Sequence, residues 1–144
     1  MSDLTKQERE QFLADVHVGV LTVADVDGRG PLAVPLGYLY EPGGEIRFAT
    51  AKDCRKMTLV RAAGRVGFLV QKEQLPYRYV SVEGPVVGEH QTTPDEHLTM
   101  SIRYFGPQEG RSYFEMSKHA LSGMVTVRVL PQRWRTYDSS DELP

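Results

Sequence analysis

The stretch FATAKDCRKMTLV, residues 48–60, places Thr50, Lys52, Arg55 and Lys56 where an apolar strand hands over to a helix. A helix N-terminus has unpaired backbone N–H groups and a partial positive charge, so cations there are mildly unfavourable unless an anion sits among them. Backbone donors, the helix dipole and a bidentate arginine all favour a phosphate at such a place, and the Thr50 hydroxyl would add a donor. The spacing therefore predicts a phosphate-ester site. The alternative is a solvated helix face on which Lys56 merely screens Asp53 or Glu73. The segment lacks the glycines of a Walker loop or a dinucleotide fingerprint, so an anion here is held by side chains.

Elsewhere the chain offers little acid–base or metal chemistry. The single cysteine, Cys54, cannot form an internal disulfide; beside two cations its thiol is either activated or simply structural. His17 and His90 fall in strand-like segments and His97 and His119 in helical ones, without metal-ligand spacing. No metal site is predicted and no catalytic residue is assigned. A net charge of −2 argues against a broadly basic nucleic-acid face, and it weakens a helix-turn-helix reading of residues 95–118, whose second helix carries Glu115. With 40% hydrophobic and 25% charged residues, the 144 residues read as one globular domain over 1–144. No apolar run approaches the ~20 residues that span a bilayer, and MSDLTKQEREQFLADVH lacks the apolar centre of a signal peptide, so a cytoplasmic location is expected.

The elements that must position the basic cluster follow from period and punctuation. Thr5 and Glu8 are spaced as a capping box for a helix over 5–14. Strands are predicted over 16–24, 31–40 and 45–50, joined by DVDGRG and EPGG turns as an antiparallel meander. A helix over 52–64 follows, with Asp53 as N-cap and Gly64 at its end, then strands over 65–71 and 78–90, the latter bent at Gly84-Pro85. Thr93-Pro94-Asp95-Glu96 starts a second helix reaching Tyr104, GPQEG breaks it, and a shorter helix is expected over 112–121. MVTVRVL (124–130) and RWRTY (133–137) supply the last strands, and the tail DSSDELP is expected to fray. The fold class is mostly β, an antiparallel barrel of six to seven strands with helices outside.

On the second strand, alternation puts Leu32, Val34, Leu36, Tyr38 and Tyr40 on one face and the small stripe Ala33, Pro35, Gly37 and Leu39 on the other. That stripe suits either a flat ring or a tight barrel interior. Arg78 could meet a ligand or pair with a carboxylate such as Glu83; Tyr77 and Tyr79 could line a pocket or an interface, and Trp134 is expected to pack over the barrel.

The order and spacing of FATAKDCRKMTLVRAAGRVGFLVQ (48–71) and RYVSVEGPVVGE (78–89) resemble the pyridoxamine 5′-phosphate oxidase-like family of flavin-binding split β-barrels, which includes F420-dependent reductases. The likeness covers roughly residues 10 to 90 and is nearest the small actinobacterial members. It implies a homodimer with FMN or F420 at the subunit interface, acting as an oxidoreductase that transfers hydride to or from a small organic substrate. It further implies that Thr50, Arg55 and Lys56 hold the cofactor phosphate, with Lys52 beside them, that the ring lies against Val34, Pro35, Leu36 and Gly37, and that Arg78 and Tyr79 approach from the partner subunit. Cys54 stands where the oxidase has serine, Ala33 and Tyr38 replace basic residues, Tyr79 replaces a glutamine, and no substrate-binding counterpart follows Trp134. Oxidation of pyridoxamine phosphate itself is therefore not expected. The alternative function is a noncatalytic carrier of flavin or haem.

Overall fold

Local chemistry starts the chain as its sequence demands. Thr5 Oγ1 accepts the Glu8 N–H at 3.1 Å and the Glu8 carboxylate accepts the Thr5 N–H at 2.9 Å, closing the capping box of α1 (Lys6–Ala14). The computed structural model describes residues 3–142. Beyond α1 come β1 (Gly19–Val23), β2 (Leu32–Leu36), β3 (Ile46–Ala51), α2 (Arg55–Ala63), β4 (Arg65–Lys72), β5 (Arg78–Gln91), α3 (Pro94–Phe105), α4 (Pro107–Ser117), a 3₁₀ segment (Lys118–Gly123), β6 (Met124–Val129), β7 (Arg133–Asp138) and a 3₁₀ turn (Ser140–Glu142). The tail expected to fray is held over most of its length, with Asp138 and Ser139 buried and Ser140–Glu142 forming the last 3₁₀ turn, while Leu143 and Pro144 lie outside the described residues.

The seven strands form one antiparallel sheet, ordered β2-β1-β4-β5-β6-β3 with β7 on β5, that curls into a half-barrel with the helices outside. Alternate residues of the strands point inward, so Leu21, Ile46, Phe48, Phe68, Val80 and Val127 are buried together, and Met57 and Val60 of α2 plug the same core. Tyr38 is wholly buried and donates its hydroxyl to the Leu13 carbonyl at 2.6 Å. Trp134 packs against the core as expected, with the Arg9 guanidinium 4.5 Å above its ring.

β5 belongs to both halves of the sheet. Its first residues pair with β4 and β7 and its last with β6, and the strand passes from one ladder to the other at Gly84-Pro85, with a register shift between Val86 and Gly88. An ideal Cβ on Gly84 would lie 1.7 Å from the Leu130 carbonyl oxygen, which is why a side chain is absent there.

Four local expectations need correction. The meander does not continue into β3: apart from one bridge, Leu39 with Arg47, β3 pairs with β6, because a curled sheet brings the distant edge round to it. β2 stops at Leu36, not Tyr40, since Tyr38, Leu39 and Tyr40 are all buried in succession and two-residue alternation has ended. The α2 cap is Cys54, in extended conformation and without a side-chain cap bond, rather than Asp53. The break at GPQEG is one residue wide: Gly106, at φ 87°, ends α3 and immediately precedes Pro107 in the first turn of α4, which runs to Ser117 instead of over 112–121. Gly110 lets the two helices close together, its missing Cβ falling 2.6 Å from Ile102 Cα.

Candidate functional site

The basic cluster assembles where β3 ends and α2 begins. Thr50 is the last inward-facing residue of β3 and is buried; Lys56, one turn into the site, donates from Nζ to its Oγ1 at 2.8 Å. No acidic residue occupies the first turn of α2, and Cys54 spends its thiol on the Ala51 carbonyl at 3.2 Å, so the cap leaves the helix end without a side-chain acceptor. Arg55 projects from the same turn and is half exposed, while Lys52 is exposed, its backbone N–H donating to the Gly123 carbonyl at 2.9 Å. These residues fit an anion: a lysine bound to a buried hydroxyl lies beside an uncapped helix end, and a second cation, Arg55, leaves the same turn.

Arg55 already has an internal partner that the sequence did not suggest. Its Nη2 lies 2.6 Å from both carboxylate oxygens of Asp25, in the turn after β1, and this guanidinium holds the Asp25 carboxyl below its ordinary range. The neighbouring ion pair on α2 is built differently. Arg61 uses Nε and Nη2 on separate oxygens of Glu89, at 2.8 and 3.0 Å.

The expected ring-facing residues sit on β2, a terminal strand of the sheet, with Ala33 and Pro35 exposed and Val34 and Leu36 half-buried. Gly37 does not offer open space. Tyr104 of α3 fills the position of its absent side chain, 2.9 Å from an ideal Cβ, and the Tyr104 hydroxyl accepts the Tyr38 N–H at 3.0 Å and donates to the His17 carbonyl at 2.7 Å. Arg78 and Tyr79 are engaged by β7 at the start of β5: Arg78 pairs with Asp138 at 3.0 Å rather than with Glu83, and Tyr79 stacks on Tyr137 with centroids 5.8 Å apart. The structure thus joins Thr50 and Lys56, turns the guanidinium of Arg55 to Asp25, keeps the β2 residues at the sheet's edge, and places Arg78 and Tyr79 on a separate ladder.

Beside this cluster, on the other face of β3, α3 roofs a cavity of about 270 Å³ that runs between Gly37 and Ala49, the neighbour of Thr50. His97, Met100, Ser101 and Tyr104 line it from one helical face. Their spacing was visible as a periodic face, yet only packing onto β3 and β6 turns it into a cavity wall. Glu96 accepts from the Thr93 N–H and from His90 Nε2, each at 2.9 Å; burial raises its pKa, but these donors outweigh that and hold it below the ordinary range. His97 Nε2 lies 2.7 Å from Ser117 Oγ, a pair the sequence reading missed. The only proton of Ser117 goes to the Tyr113 carbonyl at 2.6 Å, so His97 must be the donor and Ser117 is not an activated nucleophile. Burial also pushes the His97 imidazole down, favouring its neutral form. Among the described residues no cluster of His, Cys, Asp or Glu could hold a metal ion, and no helix is long and apolar enough to cross a membrane.

No protein-family model matches the chain, and no curated protein matches it. Solved structures do. An F420 reductase superposes with TM-score 0.69 at 22% identity, over 88% of this chain and 94% of its own. A conserved hypothetical protein of Mycobacterium tuberculosis gives TM-score 0.74 at 24% identity, over 98% and 89%. A FAD-binding protein of Mesorhizobium loti gives TM-score 0.69 at 20% identity, over 96% and 98%. The sheet order, the bent β5 and these superpositions together identify the chain's fold as the split β-barrel that these solved structures share.

Proposed function

We propose that two copies of this single domain bind FMN or F420 between them and use it to transfer hydride to or from a small organic substrate. The observation that carries this reading is the Lys56–Thr50 hydrogen bond beside the uncapped start of α2, with Arg55 in the same first helical turn. In this role Lys56 and Arg55 neutralise the phosphate, Thr50 orients Lys56, and Lys52 adds charge at the rim. The edge backbone of Val34, Pro35 and Leu36 offers a flat bed for the ring, with Gly37 at its inner end, and Arg78 and Tyr79 belong to the surface that meets the second copy. When bound, the flavin or deazaflavin supplies the hydride chemistry. The protein's share is then to hold and orient, and to exclude water through the apolar roof of α3. The neutral His97 and the engaged Glu96 line the adjoining cavity, whose size suits a small organic molecule.

Titration of the purified protein with FMN and with F420, followed by cofactor fluorescence, tests the reading. Saturable binding of one, weakened at least about tenfold by Arg55→Ala or Lys56→Ala, is expected, since a charge-assisted contact contributes about 1.5–3 kcal/mol. Unchanged affinity in both variants would remove the residue assignment. Binding without electron exchange with any substrate would leave a carrier.

A further inference from the structure

The Asp25–Arg55 contact differs from an ordinary structural ion pair in a way that bears on the anion site. A guanidinium offers two forked faces, Nε with Nη2 and Nη1 with Nη2, and both include Nη2. Arg61 shows the first of these faces in use against Glu89. Asp25 instead places both its oxygens on Arg55 Nη2 alone. One nitrogen is saturated, both forks are blocked, and Nε and Nη1 keep donors that cannot pair up on a single ligand. The carboxylate is held from below as well, since Asp25 Oδ1 accepts the Val26 N–H at 2.7 Å. Its side chain is only 6% exposed whereas that of Arg55 is 53% exposed, so the arginine lies over the aspartate with its outer side open.

We infer that Asp25 is a built-in stand-in for the ligand phosphate, an internal anion that occupies Arg55 in the free protein and must yield Nη2 before a phosphorylated cofactor can be gripped by a fork. This takes Arg55 as a phosphate ligand, as proposed above. Three consequences follow from the geometry. The free protein avoids leaving Arg55, Lys56 and the helix dipole mutually repelling. Affinity is set by the difference between two anions competing for one guanidinium, not by the cations alone. The turn after β1, which carries Asp25 and the left-handed Asp27 and Gly28 at φ 59° and 71°, is released from α2 when the site fills.

The test compares Asp25→Asn with the wild type in titrations with FMN and with riboflavin, which has the same ring and no phosphate. Removal of the competing charge is expected to tighten FMN by about two- to fivefold, the range of an ion pair whose arginine stays open to solvent, and to leave riboflavin unchanged. Arg55→Ala and the double variant are measured alongside, and the aspartate substitution should have no effect once Arg55 is gone. If Asp25→Asn weakens FMN binding or leaves it unaltered while Arg55→Ala weakens it, Asp25 positions the arginine or is irrelevant to it, and the stand-in role is overturned with the anion site intact. If Arg55→Ala changes nothing, or riboflavin tightens as much as FMN, the stand-in role fails; in the former case the anion-site assignment fails with it.

Discussion

Gly84 is the position at which a single methyl group should do most damage. An alanine Cβ there would lie 1.7 Å from the Leu130 carbonyl oxygen and 2.8 Å from its carbon, both backbone atoms. Ordinary C···O contact is about 3.3 Å, so the two chains must separate by on the order of 1.6 Å. The separation falls between two backbone hydrogen bonds that tie the strands together, Leu130 N–H to Pro85 and Gln132 N–H to Glu83, each 3.0 Å. Loss of both costs about 2 kcal/mol, and residual overpacking adds about 1–3 kcal/mol. Gly84→Ala is therefore expected to lose about 3–5 kcal/mol in urea unfolding, or roughly 6–20 °C in Tm. Gly88→Ala is the control on the same strand. Its Cβ would meet Arg128 Nη2 at 2.2 Å, but that is the far end of a flexible side chain whose one ion pair, to Glu45 at 3.4 Å, is long and partly exposed, so the cost should stay below about 1 kcal/mol. A Gly84 variant within about 1 kcal/mol of wild type, or equal losses at both glycines, would refute the steric account of the bend.

Arg103 should matter for a different reason: its Nη1 and Nη2 cap the end of α1 by donating to the Ala14 and Asp15 carbonyls at 3.0 and 2.8 Å, with the guanidinium 4.9 Å above the Tyr38 ring. Arg103→Lys keeps the charge but not the fork, and is expected to cost about 2 kcal/mol in urea unfolding; a loss below about 0.5 kcal/mol would remove the capping role. Acidification should act first through histidine. Burial holds His97 and His17 below their ordinary range, so the unfolded chain takes up the proton first, and stability is expected to fall as pH drops from about 6.5. The carboxylates Asp25 and Glu96, also held low, release their stabilisation only at more acidic pH. His97→Gln should flatten the decline in Tm between about pH 7 and 5.5, and an unchanged slope would exclude His97 as its source.

What the sequence made legible was what neighbours decide. Both capping boxes, Thr5 with Glu8 and Thr93 with Glu96, lie within four residues, and the left-handed end of α2 at Gly64 needs only a glycine after a periodic run. The start of α4 is equally local, since Gly106 ends one helix and Pro107 opens the next with no loop between them. The remaining errors come from contacts made at long range. Nothing near Tyr40 says that β2 has already ended; that follows from Tyr104 pressing on Gly37 and from the burial of Tyr38 beneath Arg103. The Thr50–Lys56 pair was readable as a basic turn, but Asp25, which decides the state of Arg55, sits in a turn whose sequence signals only its own shape. The cavity face of α3 had a visible period and no visible partner.

β5 and β6 are adjacent antiparallel strands, the arrangement that a tight turn of two residues can join, yet residues 92–123 stand between them. The ladder itself needs none of that length, so the α3–α4 pair is cargo carried on a hairpin. It is anchored back to the framework by a few side chains, chiefly Arg103 and Tyr104. Changes of sequence on its inner face reshape the chamber above β3 without disturbing strand pairing, and changes at the two anchors shift the whole roof at once. The chain thus separates, in covalent order, the basic turn at the start of α2 from the helical roof of the cavity.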